Sequence, residues 1–172
     1  VFDMSLKASK GEITAPEFKT RVSGLTFEIP IQYPLKRPAL NGRYSISKIL
    51  YNNQYNFSSA GKIFQTGLKK FQVNGWAGFR AIPDLKAQFK SMIGFEKGLY
   101  AALDFNMKPV RLNDADIEKL ISQTLKSVEV EVTAFAKGKA EYKNQQLKIA
   151  MRLNLDDGKI QVPDTNFKAT GI

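Results

Sequence analysis

The sequence predicts an all-β, mainly antiparallel fold with one short helix. Three observations carry this reading. Apolar and polar residues alternate with period two along most of the chain, turn-forming dipeptides recur about every 8–15 residues, and one segment alone has helical spacing. Alternation of this kind puts one face of each strand in an apolar interior and the other in water, the usual state of antiparallel sheets.

In chain order, Phe2/Met4/Leu6/Ala8 open the first strand, interleaved with Asp3, Ser5 and Lys7. Lys10-Gly11 reads as the first turn. Leu25/Phe27/Ile29/Ile31 form the next clear run, with Thr26 and Glu28 on the other side. The Pro-rich stretch Pro30–Pro38 reads as a connection, because proline cannot donate to a central ladder. Weaker strands are expected at Tyr44–Tyr51, Tyr55–Phe64, Leu68–Trp76 and Leu85–Ile93, with turns at Asn41-Gly42 and Asn52-Asn53. Past Lys97-Gly98, Leu99/Ala101/Leu103/Phe105/Met107 alternate with polar residues.

The helix is expected over about 113–126, where Ile117, Leu120, Ile121 and Leu125 share one face. Asn113 stands at the N-cap, Asp116 at the third helical position, and Leu112 and Ile117 at the positions of a hydrophobic staple. Beside so much strand, such a helix is best placed as a plug or lid. Val128/Val130/Val132/Ala134, Lys139–Tyr142 and Ile149/Met151/Leu153/Leu155 complete the strands, with turns at Asn144-Gln145 and Asp157-Gly158.

Composition narrows function. With 172 residues, the chain fits one domain (1–172), and 43 % apolar residues are enough for a core. Cysteine and histidine are both absent, which excludes disulfide scaffolds, Cys/His zinc sites and any imidazole-based triad. The balance tilts toward a binding or structural role, with an enzyme as a distant alternative. No run of 18 apolar residues is present to span a membrane as a helix. The chain opens inside a strand pattern, so it is read as a fragment or processed domain whose anchor lies elsewhere.

The most informative feature is internal. At an offset of 147, residues 2–25 match residues 149–172 without a gap. Met4/Met151, Leu6/Leu153, Gly11/Gly158, Ile13/Ile160, Pro16/Pro163 and Gly24/Gly171 are identical, and Phe2/Ile149, Ala8/Leu155 and Val22/Ala169 keep the apolar face in phase. The expected unit is an alternating strand, a tight turn needing glycine, a short strand, a proline, and a third strand ending in glycine. Two strand–turn–strand units can look alike by accident. The sharper reading is a chain slightly longer than one repeat of an extended β structure, continuing past Ile172.

The phrase Leu153-Asn-Leu-Asp-Asp-Gly-Lys-Ile-Gln-Val-Pro, leading to Thr170-Gly171-Ile172, resembles the recurrent unit of the AsmA-like envelope proteins, most of all the TamB- and YdbH-type intermembrane transport proteins. Leu6–Leu25 fits the same pattern, and Gly138–Tyr142 is similar to the strand that precedes it. The resemblance implies an extended curled sheet or open β-gutter, apolar inside, along which phospholipid acyl chains move between the inner and outer membranes of Gram-negative bacteria. It implies no catalytic residue, metal or cofactor, and a periplasmic location with the parent chain anchored in the inner membrane. On this reading Met4, Leu6, Phe27, Ile29, Leu103, Phe105, Val130, Val132, Met151, Leu153 and Ile160 line the lipid groove.

Other chemistry is weaker. Asp156-Asp157 reads as a turn pair and Asp114/Asp116 as the start of a helix, with no calcium-loop spacing around either. Gly75-Trp76-Ala77-Gly78 lacks the spacing of a phosphate loop and reads as a bulge or bend. Asn56-Phe57-Ser58 has glycosylation spacing, as chance triplets do.

The net charge of +10 includes Lys69, Lys70, Lys86, Lys90, Lys97, Lys108 and Arg111, clustered in the middle third beside Phe71, Trp76, Phe79, Phe89 and Phe95. Alternation predicts cations and aromatics on opposite faces, so no nucleic-acid platform is expected. A solvated lysine face comes first, and attraction to an anionic membrane surface second. Two further functions remain open: an assembly module that recruits a client strand by β-augmentation in outer-membrane protein biogenesis, and a closed barrel carrying single lipids under the helix.

Overall fold

The structure is a computed structural model that describes residues 2–35, 40–96, 98–121, 129–162 and 167–171. The strands are β1 (Phe2–Ala15), β2 (Thr20–Tyr33), β3 (Asn41–Tyr51), β4 (Tyr55–Gly67), β5 (Lys70–Phe79), β6 (Lys86–Gly94), β7 (Tyr100–Met107), β8 (Val110–Asn113), β9 (Glu129–Lys143), β10 (Gln146–Val162) and β11 (Phe167–Thr170). The helix α1 (Asp114–Ile121) joins β8 to β9. All strands pair antiparallel in one sheet, ordered β1-β2-β3-β4-β5-β6-β7-β9-β10-β11, with β8 pairing β9 beyond the end of β7. The sheet is curled and does not close. The closed barrel is therefore not the architecture, because β1 stands at one edge and β10 with β11 at the other.

Several boundaries differ from expectation for definite reasons. Lys10-Gly11 and Asp157-Gly158 are not turns but β-bulges inside β1 and β10, where the register slips against the neighbouring strand. Lys10 (φ 57) and Asp157 (φ 52) carry the left-handed residue, so the glycines that follow supply no special φ. The first hairpin instead turns at Pro16–Phe18, closed by Lys19 N–H donating to the Pro16 carbonyl at 2.9 Å. Asn41-Gly42 lies within β3, where a side chain at Gly42 would collide with the Glu28 carbonyl and Pro30.

Pro30 is inside β2 rather than in a connection. It pairs with Ser5 on one side only, and β3 stops pairing two residues earlier at Glu28. Beyond that point the Gln65 side chain accepts the Gln32 backbone N–H at 2.7 Å in place of a strand. Gly75–Gly78 is regular strand with no bulge. Val130–Ala134 and Lys139–Tyr142 fuse into β9, and β8 was missed as a strand. The helix begins as expected, with Asn113 Oδ1 accepting the Asp116 N–H at 3.0 Å. The expected stretch 122–126 lies outside the described residues, as do Lys36, Arg37, Pro38, Lys97, Val128, Pro163 and Ile172.

The repeat is reproduced in the backbone over much of its described part. A bulge interrupts the first strand of each unit at the same place, against β2 in β1 and against β9 in β10, with the left-handed Lys10 matched by Asp157. After it, Glu12↔Ser23, Ile13↔Val22, Thr14↔Arg21 and Ala15↔Thr20 correspond to Lys159↔Thr170, Ile160↔Ala169, Gln161↔Lys168 and Val162↔Phe167. Gly24 (φ 65) and Gly171 (φ 76) then take the same left-handed conformation. Four pairs in one register and two matched positive-φ sites make accident a poor account of the sequence match.

Glycine is required elsewhere for close approach. The ladder runs Phe27–Tyr44–Gly61–Gly75–Phe89, and Tyr44 lays its ring toward the two glycines. A Cβ on Gly75 would strike the Tyr44 hydroxyl and stand 2.6 Å from the Ala60 carbonyl oxygen. We expect Gly75→Ala to destabilise the fold by about 1–3 kcal/mol through this overpacking. Gly11→Ala meets nothing closer than 3.5 Å and should stay within about 0.5 kcal/mol of the parent. Urea unfolding of the two variants checks the contrast.

Candidate functional site

The two faces of the sheet follow from the pairing, because directly paired residues point the same way and residues two apart along a strand share a face. One row reads Ala8–Phe27–Tyr44–Gly61–Gly75–Phe89–Phe105–Gly138–Met151 from edge to edge. The next row over reads Lys7–Glu28–Arg43–Lys62–Asn74–Lys90–Asp104–Lys139–Ala150 and faces the opposite way. The inner face is thus apolar and aromatic, the outer face charged.

All eleven residues singled out from the sequence lie on the inner face. Met4 and Met151 share it, as the repeat requires, because their rows lead to Ile31 and to Phe105 through Gly138. They do not form one cluster, however. Phe27, Ile29 and Leu103 line a concave pocket of about 310 Å³ with Leu25, Tyr44, Ile46, Ile63, Val73, Phe89 and Ile93. Phe105 is the next position on Leu103's face of β7 and stands over Gly138, where an added Cβ would be 2.7 Å from its ring. Met4 (42 % exposed) and Leu6 form one rim, and Met151 (65 % exposed) and Leu153 the other.

Val132 is the clearest departure. It packs against a closed core of Phe79, Ile82, Leu112 and Ala134, with Ile117 and Leu120 of α1 in the same cluster. Val130 and Ile160 pair with each other toward this same end of β9 and β10. The helix therefore shuts one end of the face at Val132 with the chain's own side chains.

The pocket draws on six consecutive strands, β2 to β7. Six strands in a flat sheet would spread over about 24 Å at the usual spacing, so a concavity this small touching all six requires curvature. Its floor contains Ser59 and Ser91, both buried. Tyr44 and Ser59 share a hydrogen bond of 3.0 Å, and Ser59 donates to the Trp76 carbonyl at 2.7 Å. Burial pushes the Tyr44 hydroxyl above its ordinary pKa, so it stays neutral in the trough.

The sequence alone did not place Tyr44, Ile63, Val73 or Phe89 in the groove. Their strands alternate poorly because the inward positions between them are Gly61, Gly75, Ser59 and Ser91, which read as polar or neutral.

The outer face is organised by cross-strand ion pairs. Glu28 lies between Lys7 (2.8 Å) and Arg43 (3.4 Å), and Lys7's hydrogen bond and charge hold its carboxyl below the usual range. Glu131 is likewise lowered by its hydrogen bond to Arg111. These are solvated pairs of small energetic weight. The expected separation of aromatics from cations fails for Phe64, on the same face of β4 as Lys62, and most clearly for Trp76. Trp76 pairs with Ala60 and Gln88 and so faces outward, with the Lys86 ammonium 5.3 Å from its ring centroid.

No protein-family model, curated protein or solved structure matches this chain.

Closed end and open trough should respond differently to truncation. Leu112, 4 % exposed, should cost about 2–5 kcal/mol as Leu112→Ala, in the range of core deletions. Leu103→Ala, in the half-exposed trough, should cost less than half as much. Equal losses in denaturant unfolding would mean that the trough is filled core.

Proposed function

We propose that the chain is a non-catalytic lipid-binding segment of an AsmA-like envelope protein, holding phospholipid acyl chains along its inner face on their way between the inner and outer membranes. The observation that carries this reading is the uncovered apolar face. It extends from β1 to β10, and apart from the end sealed by α1 no described element packs across it. Phe2, Met4, Leu6, Leu147, Ile149, Met151, Leu153 and Leu155 on this face are each more than a third exposed, and no large side chain among the described residues is fully buried. Acyl chains suit such a surface because they need no hydrogen bonds. Each buried CH₂ gains about 0.8 kcal/mol, so about ten methylenes would gain roughly 8 kcal/mol before ordering costs.

The repeat supports the same reading. Units that reproduce bulge, register and face let an apolar lining run on from one unit to the next. On this proposal the chain works in the periplasm, joined to the remainder of its parent chain.

Native mass spectrometry of the purified chain should find co-purified phospholipid. Leu103→Asp should keep the circular dichroism of the parent and lose uptake of a fluorescent phospholipid, because a charge at a solvated trough wall is tolerated by the fold and repels hydrocarbon. Unfolding of that variant would instead make the inner face a filled core and overturn the proposal.

A further inference from the structure

Charge on this chain is concentrated in a way its overall balance conceals. Residues 41–94, which make β3 to β6, hold eight Lys and Arg and a single carboxylate, Asp84, so they carry +7 of the net +10. Asp84 sits in the β5–β6 turn, and none of the four strands contains an acid. The flanking strands differ. There Glu28 meets Lys7 and, reaching into the strip, Arg43, while Asp104 meets Lys139 at 3.5 Å, on the side away from Lys90; Glu96, past the end of β6, meets Lys70 at 3.3 Å.

Within the basic strip, like charges face one another. Arg43 pairs directly with Lys62, and Asn74 alone separates Lys62 from Lys90. Like charges opposite each other destabilise a sheet. Lys86 adds a fourth cation to the same side, over the indole of Trp76. Apolar side chains stand among these charges: Phe64 and Met92 face outward on either side of Gln72, and Trp76 lies between Ala60 and Gln88. The strip is also the middle of the curve, because β2 to β7 wrap the concave pocket on the other face. A flat surface meeting the convex side would touch here first.

We propose that the outer face of β3 to β6 docks on a bilayer surface rich in anionic phospholipid. Phosphates of the headgroups would neutralise the facing cations, while Trp76, Phe64 and Met92 sit at the depth where indole and apolar side chains are favoured. A single-stranded nucleic acid fits less well. A stacking platform needs several open ring faces in succession, and Lys86 lies over the ring of Trp76. The surface is on the opposite face from the trough, so the proposal does not depend on what the trough holds.

Trp76 is the sole tryptophan and lies inside the patch, so the protein carries its own reporter. Mixed with vesicles of equal phosphatidylglycerol and phosphatidylcholine in 0.1 M salt, the chain should co-sediment, shift its tryptophan emission to the blue, and be quenched by brominated acyl chains. Pure phosphatidylcholine should give none of these, and 1 M salt should reverse binding as the Debye length shrinks to about 3 Å. Lys62→Glu with Lys90→Glu should weaken vesicle binding by at least about 30-fold with unchanged circular dichroism. Lys148→Glu with Arg152→Glu, the same charge change on β10 outside the patch, should weaken it less than about threefold. Equal losses in the two double variants would mean that net charge alone is read. An unshifted Trp76, or tighter binding to an oligodeoxythymidine than to the vesicles, would equally overturn the proposal.

Discussion

The lateral hydrogen-bond ladder of a single antiparallel sheet is the constraint on which the rest depends. Each interior strand meets its backbone donors and acceptors in its two neighbours, so no covering layer is needed to satisfy the main chain. Both side-chain faces are thereby released from a structural duty that a second layer would otherwise impose. That freedom lets an apolar face persist uncovered over the width of the sheet. It also makes curvature necessary, since folding the sheet toward itself is the one way left to reduce the apolar area in contact with water.

The two ends of the inner face show what that freedom permits and where it stops. At one end α1 brings Ile117 and Leu120 onto Phe79, Ile82 and Leu112, and the chain builds an ordinary closed core. In the middle, aromatic rings fold down over glycines: Tyr44 over Gly75, and Phe105 over Gly138. The bare glycine backbone leaves these rings room that a Cβ would occupy. The Tyr44–Ser59–Trp76 hydrogen bonds fix one of those rings without placing a charge in the apolar region.

On the outer face the acids lie toward the flanks and cations crowd the middle strands. Glu28 and Glu131 are drawn to their ionised forms by the basic side chains beside them, toward the two flanks of the sheet. In the middle strands Arg43, itself bridged to Glu28, faces Lys62, and Lys62 and Lys90 lie on either side of Asn74. The proposals for the trough and for the basic strip are thus carried by opposite faces of one layer, and a curled sheet lying on a membrane by its convex side would hold its trough open away from the surface.

Much of this protein was legible in its sequence, because period-two alternation reports directly on which face a residue takes. The antiparallel class, the capped start of α1, the inward side of the eleven apolar residues singled out and the match between 2–25 and 149–172 needed no more than that. What alternation cannot report is pairing between distant strands. Whether Lys10-Gly11 turns or bulges depends on the register that β2 offers β1, and Pro30 could enter a strand only because β3 ends its pairing at Glu28. Tyr44 and Phe89 entered the trough through glycine and serine neighbours that disguise an inward position in sequence. Trp76 joined the cations because Gly75 had already taken the inward place beneath Tyr44. A strand's own residues decide its two faces, and only the neighbouring strands decide what each face meets.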